Sequence, residues 1–288
     1  MNTNSKLRVA LFFGGVSSEH DVSCVSASAW LRALGQEPCA DKYEVFPVGI
    51  TKDGRWLACR PTPETMADGS WEQGDCMPCV LSPDRKDHGI WLLKDGRAEL
   101  VRIDICAPVM HGKNGEDGTI QGLFELARIP YVGCGVLGSA VCMDKAVANA
   151  LMDAAGVPHC KWVAASRADL ELNGPVVLDG IEAKLGYPIF VKPANAGSSV
   201  GISKAADRAA LEKGVEIALR EDDKVVFEEF VDAQEVECAA IGNPDDPSTV
   251  STTRPGEILA GAEFYTYDDK YKNGVSQTVI PAHLSEEK

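Results

Sequence analysis

The sequence lacks the features that would place the chain in a membrane or on a nucleic acid. No stretch approaches the roughly 18 consecutive apolar residues of a transmembrane helix, and the apolar run near the amino terminus is too short for a signal peptide. Basic residues are outnumbered, with 28 lysines and arginines against 43 aspartates and glutamates and a net charge of −15. Because so acidic a surface repels phosphates and anionic lipid, we expect neither nucleic acid nor membrane as a partner.

The ten cysteines show no disulfide or metal-site pattern, and they are scattered from Cys24 to Cys238. Cys76 and Cys79 form a C-x-x-C pair, but no second pair and no histidines with zinc-like spacing accompany them. Without a signal peptide, we interpret the cysteines as reduced thiols of a cytoplasmic protein. A redox or metal role for the C-x-x-C pair is the alternative. The metal ligands are unknown from the sequence.

The first half of the chain alternates strands and helices. Apolar strands are predicted at 8–15 and 102–110, and each leads into a glycine-rich loop. A helix is predicted at 17–35 with Ser18 as its cap, and the Gly, Pro, Asp and Trp of 52–90 predict hairpins and loops. The pattern indicates a doubly wound α/β domain, which binds ligands at the carboxyl ends of its strands.

A second unit is predicted to begin near Leu137 with a helix at 139–156. Two strands, 188–194 and 202–206, then flank the loop NAGSSVG, and further strands follow at 224–231 and 235–242. The predicted domains are 1–136, 137–228 and 229–288. The 288 residues are enough for two or three domains.

The loop between the strands of this second unit suits phosphate groups. Gly197, Ser198, Ser199 and Gly201 form its tip, and Lys192 precedes it at the end of an apolar strand. Backbone amides and hydroxyls bind phosphate oxygens, and a lysine supplies the opposite charge. No G-x-x-x-x-G-K-[ST] motif occurs anywhere, so the loop is a hairpin and not a P-loop. A flexible hairpin tip is the alternative, although a lysine in an apolar strand is costly without a partner.

A different glycine pattern, G-x-G-x-x-G at Gly133–Gly138, resembles the fingerprint of dinucleotide-binding proteins. It lies late in the first sheet, however, and the next predicted strand has no acid at its end to hold a ribose. A nicotinamide-dependent oxidoreductase is therefore an alternative function. A tight turn with close helix packing is the preferred interpretation of this segment.

Five segments carry a resemblance that covers nearly the whole chain. They occur in the order FFGGVSSEHDVS, HGKNGEDGTIQG, CMDK, VKPANAGSSVGI and FYTYDDKY. Together they resemble the D-alanine–D-alanine ligase family of ATP-grasp enzymes. The chain is also similar to the vancomycin-resistance branch of that family, which makes D-alanyl-D-serine. The resemblance implies a doubly wound amino-terminal domain followed by an ATP-grasp domain.

The resemblance also implies a reaction and the residues that perform it. ATP phosphorylates the first D-alanine, and a second D-alanine attacks the acylphosphate to form a precursor of peptidoglycan. Glu19 would hold the ammonium of the first D-alanine, His111 would lie beside it, and Ser198 would join Glu19 and Tyr271 in a hydrogen-bonded group. The nucleotide-binding residues are expected to be Lys145, Lys192, Ser199, Glu228, Phe230, Val231, Glu235 and Lys270. The segment that holds several of these acids could equally be a solvated strand edge. The family is commonly homodimeric through its first domain.

The resemblance leaves the metal and the acceptor open. The family's Mg²⁺ ligands and its transition-state arginine are expected beyond Lys288, so we expect a truncated chain of low stability. A nucleotide-binding fragment without turnover is an alternative function. D-Serine is the alternative acceptor. Val200 favours the D-alanine–D-alanine type, and Tyr271 is typical of family members that accept amino acids.

Overall fold

The computed structural model describes residues 6–243, 246–259 and 276–285. The chain forms two compact units, Met1–Met143 and Asp144–Lys288, which we call the amino-terminal and carboxy-terminal units. The domain boundaries predicted at residues 136 and 228 stay predictions.

The described elements of the amino-terminal unit are β1 (Leu7–Gly14), α1 (His20–Leu34), β2 (Tyr43–Ile50), β3 (Trp56–Cys59), α2 (Pro63–Ala67), a 3-10 turn (Ser70–Gln73), β4 (Cys76–Leu81), β5 (Gly89–Lys94), β6 (Arg97–Arg102), β7 (Ile105–Pro108), α3 (Thr119–Ala127) and α4 (Val136–Met143).

The described elements of the carboxy-terminal unit are α5 (Lys145–Ala155), β8 (Trp162–Ser166), α6 (Arg167–Leu185), β9 (Ile189–Pro193), β10 (Ser203–Ala205), α7 (Arg208–Ala218), β11 (Lys224–Glu229), β12 (Val236–Glu237), β13 (Ala240–Asn243), β14 (Asp246–Thr252), β15 (Gly256–Leu259) and β16 (Gln277–Val279).

The amino-terminal unit is built on one sheet with the order β6-β5-β4-β3-β2-β1-β7. Strand β1 lies in the middle of its parallel part, between β2 and β7, and β3 to β6 extend the sheet in antiparallel fashion. Successive side chains of β1 point to opposite faces. Ala10 and Phe12 therefore enter one core, while Val9, Leu11 and Phe13 enter the other. The hairpins predicted for residues 52–90 are thus part of the main sheet.

Helix α1 begins later than the sequence predicted. Its first residue is His20, and Glu19 occupies the capping position without a side-chain capping bond, so the prediction of Ser18 as cap was wrong. The segment PYVGC also predicts a strand at 130–134, but the structure has a single bridge there, between Tyr131 and Cys106.

The helix predicted at 139–156 is two helices, α4 and α5. They meet at Asp144, whose carboxylate accepts hydrogen bonds from the amides of Ala146 and Val147 and so starts α5 as a new helix. The break orients Lys145 at the first position of α5.

One cysteine prediction was wrong. Cys59 and Cys76 form a disulfide, and the eight other cysteines are free. The two residues lie opposite each other in the register of β3 and β4, with their Cα atoms 4.3 Å apart, a pairing that the sequence does not reveal. Cys79, the other half of the C-x-x-C pair, is buried in the core, where burial raises the pKa of its thiol to about 12. The C-x-x-C pair is therefore not a redox pair.

The carboxy-terminal unit contains a four-stranded antiparallel sheet with the order β10-β9-β11-β8. Val191 and Phe227 from the sheet pack against Ile181 of α6 and Leu211 of α7. Strands β9 and β10 are antiparallel neighbours, which confirms the predicted hairpin. Two smaller sheets, β12-β15-β16 and β13-β14, follow. Within the described residues, no helix is long and apolar enough to cross a membrane.

Gly49 on β2 provides a test of the packing in the amino-terminal unit. A Cβ atom there would overlap the ring of buried Trp71 and lie 2.9 Å from Phe13 Cζ. We expect Gly49→Ala to lower the free energy of unfolding by about 1–3 kcal/mol, measured by urea unfolding, because a tight core must shift to admit the methyl group.

The matched control is Gly180→Ala in helix α6, where a Cβ atom would meet nothing within 4 Å. This change should raise the free energy of unfolding by about 0.5–1 kcal/mol, since alanine loses less backbone entropy in a helix. Equal stabilities for the Gly49→Ala variant and the unchanged chain would contradict the packing described.

Candidate functional site

The carboxyl ends of β1, β2 and β7 are fastened together by buried hydrogen bonds. The hydroxyl of Ser23 accepts a bond from Gly14 N (2.8 Å) and donates to the carbonyl of Val109 (2.5 Å). Gly15 N donates to the carbonyl of Ile50 at 2.8 Å. The loops that leave these strands are therefore held at one edge of the sheet, where doubly wound sheets bind ligands.

Glu19 lies at this edge, at the amino terminus of α1, with only 3% of its surface exposed. The helix dipole favours a negative charge at this position. The loop after β7 packs directly against it, because a Cβ atom on Gly112 would overlap the Glu19 carboxylate and lie 2.8 Å from Ser17 Oγ. Gly112 also has a φ of +68°, so glycine is required at this position for two reasons.

Acidic and amide side chains hold the loop MHGKNGEDGTIQG in shape. The carboxylate of Glu116 accepts from Gly112 N, and that of Asp117 accepts from Asn114 N, each at 2.8 Å. The side-chain amide of Gln121 donates to the carbonyl of Gly115 at 2.8 Å. The acids of this loop therefore bind its backbone amides. The contribution of Gln121 was missed in the sequence.

His111 lies between two polar partners. Its Nε2 is 2.9 Å from Ser26 Oγ on α1, and its Nδ1 is 3.7 Å from Glu116 Oε1. The Glu116 carboxylate raises the pKa of His111 against the opposing effect of burial, and Glu19 adds to the rise. Burial alone would raise the pKa of Glu116, but its bonds to His111 and Gly112 lower it. Ser26 and Glu116 are site residues that sequence reasoning did not single out.

Lys192 and Glu228 form an ion pair between the neighbouring strands β9 and β11 of the carboxy-terminal unit. Their side chains are only 23% and 12% exposed, and Asn149 Nδ2 donates to the second oxygen of Glu228 at 3.3 Å. The pair explains how an apolar strand tolerates a lysine, and it supplies the partner that the sequence argument required.

Lys145 lies at the start of α5, beside the base of the β9–β10 hairpin. Its backbone N–H donates to the carbonyl of Ala194 at 3.1 Å, and its ammonium donates to the carbonyl of Ala196 at 2.6 Å. Burial lowers the pKa of Lys145, and the positive charge of Lys192 lowers it further. The two lysines are therefore near enough to affect each other, and an anion between them would relieve their repulsion.

The tip of the hairpin has an unusual backbone. Ser198 and Ser199 have φ values of +48° and +60°, and Gly201 has a φ of +70°. Two consecutive residues other than glycine in the left-handed region indicate strain of the kind found at ligand-binding sites. Both serines have polar partners within the molecule.

The segment after β11 holds the other residues predicted to bind nucleotide. Phe230 and Val231 are exposed, and the Phe230 N–H donates to the carbonyl of Pro188 at 3.2 Å. The ammonium of Lys204 lies 4.1 Å from the centre of the Phe230 ring. Glu235 is exposed, and its carbonyl accepts from the Ile258 N–H at 2.9 Å. Lys270 and Tyr271 lie outside the described residues.

The structure thus groups the predicted residues by unit. Glu19 and His111 lie together in the amino-terminal unit, and Lys145, Lys192 and Glu228 lie together in the carboxy-terminal unit. Ser198 belongs to the second unit, so the predicted group with Glu19 and Tyr271 stays a prediction. Among the described residues, no three histidine, cysteine or acidic side chains are grouped as a metal site would require.

The Gly133–Gly138 segment does not form a dinucleotide site. It leads into α4, and α4 is followed by α5 and not by a parallel strand of the same sheet. The strand-helix-strand unit that the fingerprint requires is therefore absent from this part of the described chain. The predicted close packing of this turn also differs from the structure, because a Cβ atom on Gly133 would meet nothing within 4 Å.

Comparisons with known proteins match nearly the whole chain to D-alanine–D-alanine ligases. Two family models match, described as D-ala D-ala ligase N-terminus (residues 8–134) and D-ala D-ala ligase C-terminus (residues 151–288). The D-alanine–D-alanine ligase of Caldicellulosiruptor bescii is 45% identical over 283 residues, which cover 98% of this chain and 75% of that relative. That of Acetivibrio thermocellus is 46% identical over 294 residues, covering 98% and 76%.

A solved structure, the VanG D-Ala:D-Ser ligase from Enterococcus faecalis, is similar with a TM-score of 0.83 and 36% identity. The match covers 98% of this chain and 78% of that one. The D-alanine–D-alanine ligase from Coxiella burnetii is similar with a TM-score of 0.76 and 30% identity, covering 98% and 73%.

The His111–Glu116 pair predicts a pH window for the stability of the amino-terminal unit. The pKa of His111 is raised on folding, so its contribution is complete below the unfolded pKa and is lost as pH rises through the folded one. The pKa of Glu116 is lowered, so its contribution is present above the unfolded pKa and is lost as pH falls through the folded one. Stability from the pair is therefore greatest between the two unfolded pKa values, 4.5 for Glu116 and 6.5 for His111, and it is lost as pH passes beyond the folded values on either side.

We expect an NMR titration to give His111 a pKa above its ordinary value of 6.5, and Glu116→Gln to lower that pKa. The exposed Glu99 on β6 offers the control change, Glu99→Gln, which should leave it unchanged. A His111 pKa that Glu116→Gln does not lower would show that the pair is not coupled.

Proposed function

Because the chain belongs to the D-alanine–D-alanine ligase family, we propose that it joins two D-alanines into D-alanyl-D-alanine with ATP as the energy source. The observation that carries the proposal is the placement of the matched residues. Glu19 and His111 lie together at the carboxyl edge of one sheet, and Lys145 and Lys192 lie together at a glycine-serine hairpin. The product is a building block for peptidoglycan, and we place the reaction in the cytoplasm, where ATP is available.

We assign the first D-alanine to the amino-terminal unit. The buried Glu19 carboxylate is suited to bind an ammonium group, because hydrogen bonds between oppositely charged groups are short and strong. The raised pKa of His111 favours the imidazolium form, which is suited to lie near the carboxylate of the same amino acid. One amino acid would thus meet an anion and a cation on neighbouring loops.

We assign ATP to the carboxy-terminal unit. Lys145 and Lys192 would bind phosphate oxygens, and the backbone and hydroxyls of Ser198 and Ser199 would cover them. Glu228 and the backbone near Phe230 and Val231 would contact adenine, and Glu235 would accept hydrogen bonds from the ribose. Lys270 would complete the phosphate contacts from a loop that closes over the site.

The chemistry follows from the charges. A carboxylate oxygen of the first D-alanine attacks the γ-phosphorus of ATP, and ADP leaves. The amine of the second D-alanine, after losing a proton, attacks the acyl carbon, and inorganic phosphate leaves. The lysines offset the negative charge that develops on the transferred phosphoryl group, which is the main way that proteins accelerate such transfers. We propose that Ser198 and Tyr271 assist with Glu19 in holding the first substrate.

Mg²⁺ with ATP and a homodimer complete the proposal. A divalent cation would neutralise phosphate charge, and carboxylates are its preferred ligands. Because the described residues contain no suitable carboxylate cluster, we assign none of them to the metal. Exposed Leu126, Val132 and Leu137 lie on or between α3 and α4, and they are candidates for a contact between two copies.

D-Serine is a second candidate for the acceptor, because the VanG structure that resembles this chain with a TM-score of 0.83 is titled a D-Ala:D-Ser ligase. Incubation with ATP, Mg²⁺ and both amino acids should yield phosphate and one predominant dipeptide, identified by mass spectrometry. We expect D-alanyl-D-alanine to predominate. A predominance of D-alanyl-D-serine would reassign the acceptor, and reduction of a nicotinamide cofactor would contradict the ligase proposal.

Lys192→Ala should weaken ATP binding by more than about tenfold, since it removes a phosphate contact and leaves Glu228 as an unpaired, poorly exposed anion. Isothermal titration calorimetry with ATP measures the change. Lys213→Ala, on the exposed face of α7, is the control and should bind ATP as the unchanged chain does. Unaltered affinity of the Lys192→Ala variant would show that the hairpin is not the nucleotide site.

Glu19→Gln should weaken D-alanine binding by about tenfold or more and leave ATP affinity unchanged, because it removes the charge that pairs with the ammonium and keeps the side-chain shape. The concentration dependence of phosphate release on D-alanine measures this effect. An equal loss of both affinities would indicate a folding defect and would contradict a specific role for Glu19.

A further inference from the structure

Asp144 has two separate functions at the start of α5. One carboxylate oxygen accepts from the amides of Ala146 (3.0 Å) and Val147 (3.2 Å), which begins the helix. The other forms an ion pair with the ammonium of Lys224, the first residue of β11. Burial alone would raise the pKa of Asp144, but the bond from Lys224 and the helix amides hold it low. The carboxylate is therefore kept ionised by two sets of partners.

Backbone hydrogen bonds complete a closed circuit through the same residues. The N–H of Ala194 donates to the carbonyl of Lys224 at 2.9 Å, and the N–H of Lys145 donates to the carbonyl of Ala194 at 3.1 Å. Lys224 is thus linked to Lys145 in two ways. Its side chain pairs with Asp144, the residue before Lys145, and its carbonyl binds Ala194, which in turn binds the Lys145 amide. The ammonium of Lys145 is then in place to reach the hairpin carbonyl of Ala196.

Asp222, two residues before Lys224, holds the hairpin itself. Its Oδ2 accepts from the backbone N–H of Asn195 at 2.7 Å and from the Asn195 side chain at 2.8 Å. Asn195 is the first residue of the loop NAGSSVG. The short segment at residues 222–224 therefore contacts Asp144, the residue before Lys145, and the base of the glycine-serine hairpin at Ala194 and Asn195.

We propose that Asp222 and Lys224 are positioning residues for nucleotide binding. Lys224 fixes Lys145 through Asp144, and Asp222 fixes the hairpin that covers the phosphates. The inference rests on the proposed function, since ATP is the ligand being positioned. Phosphate-binding groups that lie on separate elements must be held in their correct relative positions before the ligand arrives, because otherwise binding energy is lost in ordering them. The turn holds them in these positions.

The test measures ATP binding to the full chain by isothermal titration calorimetry in variants that keep the local shape. Asp144→Asn keeps an oxygen to cap α5 but removes the charge, Lys224→Met keeps the aliphatic stem, and Asp222→Asn keeps one acceptor. Each should weaken ATP binding by about threefold to tenfold, and the Asp144→Asn/Lys224→Met double variant should be no weaker than the worse single variant, because both changes break one interaction.

The matched control is Asp179→Asn, which breaks the ion pair between Asp179 and Arg208 (2.8 Å) elsewhere in the same unit. It should leave ATP affinity unchanged even if it lowers the melting temperature. If the turn has only a structural role, the loss of ATP affinity follows the loss of melting temperature in the three single variants and in the Asp179→Asn control alike. That outcome would overturn the proposal, as would ATP affinities within twofold of the unchanged chain for the three positioning variants.

Lys145→Ala separates failure of this inference from failure of the proposed function. If the unchanged chain binds ATP and Lys145→Ala weakens it, but the positioning variants do not, only the role of the turn is overturned. If Lys145→Ala leaves ATP affinity unchanged, the nucleotide site is assigned wrongly and both proposals fall. A KM for D-alanine that stays constant while the KM for ATP rises in the Lys224→Met variant supports the positioning role.

Discussion

Charged side chains that are buried need partners that offset the cost of burial, and this requirement shapes both parts of the candidate site. Isolated charges are costly to bury, so each is found with partners that offset the cost. Glu19 is enclosed by a helix terminus and by Gly112, and Lys192 is matched by Glu228. The loops adopt their shapes around these charges. A charged ligand that replaces one of these partners gains an opposite charge in the site, which offsets the cost of desolvating the ligand; a neutral surface offers no such compensation.

The two units satisfy this constraint in different ways. In the amino-terminal unit, one short loop supplies most of its own partners, with Glu116 serving His111 and a backbone amide together. In the carboxy-terminal unit, the partners come from separate elements, α5, β9 and β11, and a turn is needed to hold them. The group of Glu19 and His111 that we propose for a small amino acid is made from one loop and the adjoining helix α1. A site for a long anionic nucleotide must draw on several elements, and so it depends more on the fold.

Local patterns were enough to predict the buried strand β1 and the β9–β10 hairpin. Lys192 could be singled out because a lysine in an apolar strand needs a partner. The partners themselves could not be predicted. Ser26 and His111 are 85 residues apart, and Asp144 and Lys224 are 80 apart, so only the tertiary fold brings them together. The Cys59–Cys76 disulfide could not be predicted for a related reason, because the pairing depends on the register of two strands and not on the spacing of the cysteines in the sequence.

The topology of the amino-terminal sheet has a consequence for the order in which the unit folds. Strands β2 to β6 pair with their sequence neighbours, and such local contacts form at a small entropic cost. Strand β1, by contrast, must find β7, and its Arg8 amide bonds to Asp104, 96 residues away. The edge that carries Glu19 and His111 is made by this distant pairing. The edge that we propose binds the first D-alanine is therefore completed late in folding, and a chain with only its hairpins formed would have most of its strands but not this edge.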